Sequence, residues 1–177
     1  MINEDFTSAL VVAEVVEVFQ ALQGGGWNCG ASNGEGLSRV LAEELYPGVL
    51  DGFSTASDWL DTDRPDWVNQ NAGSDGDTGA NGCSVLFLFW LHYQLGYTWQ
   101  QICQAPGSTL AETYRQLAGV NTDPFPDFSR LLGQNYSPGA PSNLTHDNPF
   151  PLGARQFATA IPSKGTRLIP RASLVRS

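Results

Sequence analysis

Gly82-Cys83-Ser84-Val85-Leu86-Phe87-Leu88-Phe89-Trp90-Leu91-His92-Tyr93-Gln94-Leu95 is the stretch around which the rest of the chain has to be arranged. Its most apolar part, Val85 to Leu95, is 11 residues long. A membrane span needs about 20 such residues, so a buried helix is expected here and no membrane span. A helix apolar on all sides must be covered on all sides, which puts this one at the centre of a core. Gly96 closes it. The expected fold class is therefore mainly α, a compact domain of several helices.

The flanking pattern supplies the covering helices. Phe6 to Gln23 repeats apolar residues at Leu10, Val11, Ala13, Val15, Val18, Phe19 and Leu22, a period near that of a helix, and Gly24-Gly25-Gly26 stops it. A second helix opens at Ser32-Asn33-Gly34-Glu35, where Ser32 and Glu35 fit a capping box, and Pro47-Gly48 ends it. Residues 48–82 read as an acidic, glycine-rich loop that Trp59 and Trp67 pin to the body. Short helices are expected at Trp99–Gln104 and Ser108–Leu117, with a last one from Pro126 to Leu132. After Tyr136, six prolines punctuate a segment without apolar periodicity. The expected organisation is a helical domain over 1–136 and a Pro-rich basic tail, extended or disordered, over 137–177.

The net charge of −9 hides a segregation. All 18 acidic residues lie in 1–147 against Arg39, Arg64, Arg115 and Arg130, a net −14 for that part. Residues 148–177 carry five basic groups and no acid. An acidic body repels polyanions, so no nucleic-acid partner is expected. The basic tail is expected to lie on the acidic body or to stay free. Met1-Ile2-Asn3-Glu4-Asp5 lacks a basic region followed by an apolar run, so no signal peptide is expected, and no compartment follows from the sequence. Cys29, Cys83 and Cys103 have no metal-binding spacing; Cys83 reads as a small buried hydrophobe, and Cys29 with Cys103 is a pair to consider under oxidising conditions.

Three carboxylates carry the chemical reading. Ala13-Glu14-Val15-Val16-Glu17 lies on the first helix and Asn33-Gly34-Glu35-Gly36-Leu37 opens the second. Zinc hydrolases place two imidazoles four residues apart on one helix face, with a Glu between them to polarise the metal-bound water. In that pattern Glu14 takes the general-base position and Glu17 the second-ligand position, while Glu35 comes from the neighbouring helix. Ala13 has no donor atom, and neither motif histidine is present. Carboxylates without imidazole suit Mg²⁺, Ca²⁺ or Mn²⁺ better than Zn²⁺, so a divalent metal other than zinc is the cofactor to consider. The plain alternatives are a solvent-facing polar stripe for Glu14 and Glu17, and a capping role for Glu35. His92, on the apolar helix, reads as a satisfied core histidine, and His146 is given no role.

The order of these features resembles the catalytic half of gluzincin-type (zincin-like) peptidases, in particular the plant basic secretory protein family and its bacterial relatives. The likeness covers residues 8–133 and rests on Glu14, Phe19-Gln20 and Asn33-Gly34-Glu35-Gly36-Leu37. It implies Glu14 as base and Glu35 as third metal ligand. It also implies a sheet ahead of the first helix; either such strands come from elsewhere, a partner chain or a second copy, or the module is a stripped remnant.

Four functions follow as expectations. One is a degenerate metallopeptidase-like domain, a pseudoenzyme that binds peptide or glycan between its first two helices. Another is an active hydrolase with Glu14 as base and metal on Glu17 and Glu35, or with the carboxylates as a metal-free acid/base pair. A third is calcium binding at Asp75-Gly76-Asp77-Thr78-Gly79-Ala80-Asn81-Gly82, which begins like an EF-hand loop but has Leu86 where the last ligand should be. The fourth is a helical interaction or homo-oligomerisation module, with apolar surface of the first helix as the interface.

Overall fold

The computed structural model describes residues 4–23, 25–73 and 76–153. Among them the fold is mainly helical, with seven α-helices and no strand. In order these are α1 (Glu4–Gln23), α2 (Ser32–Leu45), α3 (Ala56–Leu60), α4 (Thr78–Phe89), α5 (Trp99–Cys103), α6 (Leu110–Ala118) and α7 (Phe125–Asn135). No helix of the described residues is long and apolar enough to cross a membrane.

The apolar stretch is the core, as its composition requires. Every residue from Ala80 to Leu91 is buried. The helix begins four residues earlier than expected, at Thr78, because the Asp77 carboxylate accepts from the Ala80 N–H at 2.9 Å and caps it. It is α-helical only to Phe89. Trp90–Gln94 then widen into a π turn, closed by the Leu95 N–H on the Trp90 carbonyl at 3.0 Å.

Small residues let the neighbours approach α4. A Cβ on Gly36 of α2 would stand 2.6 Å from the Ser84 Cβ of α4. A Cβ on Gly82 would collide with the Thr55 carbonyl group at the start of α3. On the other side Phe128 of α7 stacks on Trp59 and meets Phe87 edge-on, with ring centroids 5.7 and 5.2 Å away.

Two expectations about local structure are corrected. The loop-rich reading of 48–82 misses α3, where Trp59 is fully buried and donates from its indole to the Pro65 carbonyl at 2.9 Å. Ser32 does not cap α2: the N-cap is Ala31 without a side-chain bond, and the Ser32 hydroxyl accepts from the Ala72 N–H at 3.2 Å. The expected start of α6 holds. Thr109 accepts from the Glu112 N–H, and the Glu112 carboxylate takes both the backbone N–H and the hydroxyl of Ser108.

Residues 137–153 contain no helix, in keeping with their prolines, yet they are bound to the body. Asp61 accepts from the Ser142 N–H at 2.7 Å, and Phe150 is buried in the core. The buried Gln94 amide pairs with Leu152 through both its oxygen and its nitrogen, at 2.8 and 3.2 Å. Arg64, itself buried, ties the end of α7 down by donating to the Leu60 and Tyr136 carbonyls. The basic groups expected to lie on the acidic body (Arg155, Lys164, Arg167, Arg171 and Arg176) fall in 154–177, outside the described residues.

The contact at Gly82 gives a direct test. Gly82→Ala forces α3 away from α4 and is expected to cost about 2–3 kcal/mol by overpacking, measured as a lower urea midpoint. Gly73→Ala, at a position with nothing within 4 Å of the added carbon, is the control and is expected to stay within about 0.5 kcal/mol of the parent.

Candidate functional site

The three carboxylates singled out from the sequence go to three different environments. Glu14 is exposed and lies on the outer side of α1, among Thr7, Leu10, Val11, Val15 and Val18. Glu17, three residues on, is turned toward α2, where its carboxylate accepts from the Ser38 hydroxyl at 3.3 Å. Glu35 lies 3.7 Å from Arg39, one turn along α2. Among the described residues no group of three or more His, Cys, Asp or Glu side chains is arranged to hold a metal ion.

Arg39 is the centre of a different cluster, one the sequence did not reveal. It donates to the Phe53 carbonyl and lies 3.9 Å from the Asp147 carboxylate. Asp147 in turn accepts from the Thr55 and Ala56 N–H groups, at 2.7 and 2.8 Å, and so holds the open start of α3. Burial pushes the Asp147 carboxyl above the usual range, against the pull of those two N–H groups and of Arg39. Burial raises Glu43 as well, aided by repulsion from Asp51 and Asp147 and opposed by the Gly48 N–H. The cluster acts as a latch between α2, α3 and the 137–153 segment.

Other candidates are similarly committed to structure. His92 holds the Tyr97 carbonyl at 2.6 Å through Nδ1 and stacks on Trp99 with centroids 4.3 Å apart. The Tyr93 hydroxyl donates to Glu44 at 2.8 Å, and burial together with that carboxylate pushes its pKa up to about 12. Asp66 accepts from the Val68 and Asn69 N–H groups, and Asp77 caps α4. Asp75, the first position of the EF-hand-like loop, lies outside the described residues. The three cysteines are free, and burial raises the thiol pKa of Cys83 and Cys103, which keeps both protonated near neutral pH.

What remains uncommitted is the outer face of α1. The buried residues of this helix are Ala9 and Gln20, and Gln20 donates to the Gly34 carbonyl of α2 at 3.1 Å. Gly34 admits that contact, since a Cβ there would fall 2.6 Å from the Gln20 amide oxygen. The large aliphatics point the other way. Val11, Val15, Val18 and Leu22 are 56%, 46%, 59% and 75% exposed, and Leu10 and Phe19 flank them. Their spacing of four, three and four residues makes one stripe opposite the face that meets α2. Together they expose on the order of 600 Å² of apolar surface, at the top of the range for the largest patch on a soluble monomer. Beside the stripe an apolar cleft of about 170 Å³ opens between α1 and α2, lined by Val16, Phe19, Trp27, Leu37 and Leu41 among others.

Comparison with protein-family models, with curated proteins and with solved structures yields no match, so the side chains alone carry the functional reading.

The latch predicts a pH signature. A carboxyl whose pKa is higher in the folded state than in the unfolded state contributes stability in acid and loses it as pH rises through the folded value. Asp147→Asn keeps an oxygen for the Thr55 and Ala56 N–H groups. It is expected to flatten the change in urea midpoint between pH 7 and about pH 4 while leaving the fold intact. Asp147→Ala leaves both N–H groups without an acceptor and is expected to cost about 2 kcal/mol at pH 7.

Proposed function

We propose that this chain is a non-catalytic docking module, a helical domain related in plan to gluzincin-type peptidases whose motif carboxylates are dispersed among three environments. The observation that carries this reading is the orientation of α1. Ala9 and Gln20 are its buried residues and Val16 packs on the core, while Leu10, Val11, Val15, Val18, Phe19 and Leu22 are left exposed. Burying Val, Leu and Phe is worth about 1.5–3 kcal/mol each, so a stable fold has little reason to leave six of them out unless something covers them. The carboxylate environments support the same reading. Glu17 is engaged by Ser38 and Glu35 by Arg39, which leaves Glu14 without the neighbours that a general base on a metal-bound water needs. The acidic character of α1, with Glu4, Asp5, Glu14 and Glu17 and no basic residue, disfavours an anionic membrane as what covers the stripe.

Two measurements test it. Peptide substrates incubated with the protein and Zn²⁺, Mn²⁺, Mg²⁺ or Ca²⁺ are expected to show no turnover; turnover that disappears in Glu14→Gln would restore the hydrolase. A variant with Val11, Val15, Val18 and Leu22 all changed to Gln is expected to keep its helical circular dichroism and its melting temperature within a few degrees, because these side chains lie outside the domain's core. Collapse of the fold in that variant would show that the stripe belongs to the domain's own core.

A further inference from the structure

We infer that the stripe on α1 is covered by the same stripe of a second copy, packed antiparallel. This rests on the docking reading above and names its partner. The first support is the spacing. Val11, Val15, Val18 and Leu22 follow the four-three alternation of a coiled-coil seam over three turns, a pattern that is complementary to itself.

The second support is charge, and it also fixes direction. In a parallel pair Glu4, which continues the seam one heptad before Val11, would face its own copy and the helix dipoles would add unfavourably. An antiparallel pair sets Val11 against Leu22 of the second copy and Val15 against Val18 of the second copy. Glu14 then flanks the seam on the same side as Glu14 of the second copy, about 7 Å away along the axis, a repulsion that salt screens, while the exposed Phe19 rings flank the other side. Glu4 and Asp5 project past the end of the opposite helix.

The third support is area. Two such faces bury at most roughly 1,000 Å² together, the threshold for specific association. The helix is already held by α2, so no backbone ordering is added on association. The resulting dimer is a micromolar one. Its bodies are both acidic, so it tightens when salt screens them.

Sedimentation velocity of the full chain from about 1 to about 200 μM spans the range for an interface of this size. The mass is expected to rise from that of the monomer to twice that value. Raising NaCl from about 0.05 to about 0.5 M is expected to tighten the dimer several-fold, whereas a basic partner would be released. Val18→Glu is expected to stay monomeric throughout with an unchanged melting temperature. Direction is read from disulfide formation in a Cys29→Ser, Cys103→Ser background. Val15→Cys mixed with Val18→Cys is expected to cross-link faster than either variant alone. A wild-type monomer at every concentration overturns the dimer, and faster coupling of each variant with itself overturns its antiparallel direction. Monomeric wild type with a seam that tolerates glutamine would leave the docking reading standing without this partner; loss of fold in the seam variants would remove both.

Discussion

A wholly buried helix sets the terms for this structure. From Ala80 to Leu91 each side chain of the α4 stretch must be covered, and the surrounding helices exist at their positions because they do the covering. Close approach is what makes this work in a chain of this size. Gly36 against Ser84 and Gly82 against Thr55 bring α2 and α3 near enough for side chains to interdigitate instead of leaving voids. The aromatic cluster of Trp59, Phe87, Trp90 and Phe128 fills the far side. With α2 held this way, α1 is attached chiefly to α2, and it becomes an outer layer with one face left over.

That arrangement explains why a valine-rich helix can turn its largest groups outward. The inner face is restricted to Ala9, Gln20 and their neighbours by the closeness of α2 at Gly34. The Asn33-Gly34-Glu35-Gly36-Leu37 stretch, which first suggested a catalytic helix start, has a packing reason at nearly every position. Asn33 donates to the Gly26 and Gly107 carbonyls, Gly34 and Gly36 allow contact with α1 and α4, and Leu37 is in the core. Carboxylates follow the same pattern, since Asp61, Asp66, Asp77 and Asp147 all serve as acceptors for otherwise open backbone N–H groups.

The helices with a full apolar period were legible in the sequence, and so was the central place of Gly82–Leu95. What was illegible depends on partners far along the chain. Ala56–Leu60 is too short to show a period, and the group that holds its start, Asp147, comes 91 residues later. The π turn at Trp90–Gln94 leaves no mark on an all-apolar run. For the carboxylates, spacing says which residues share a face but not what that face meets. Glu14 and Glu17 are three apart, yet the first faces solvent and the second Ser38. The apolar period of Phe6–Gln23 was likewise visible without showing that most of its large residues lie on the uncovered side.

The outer stripe of α1 as a contact surface is tested most directly by the valine methyl resonances of the labelled full chain in a dilution series. Val11, Val15 and Val18 are expected to shift with concentration, while the buried Val40, Val68 and Val85 stay fixed. Seam methyls that never move, or core methyls that move with them, would contradict a preformed body that associates through this face.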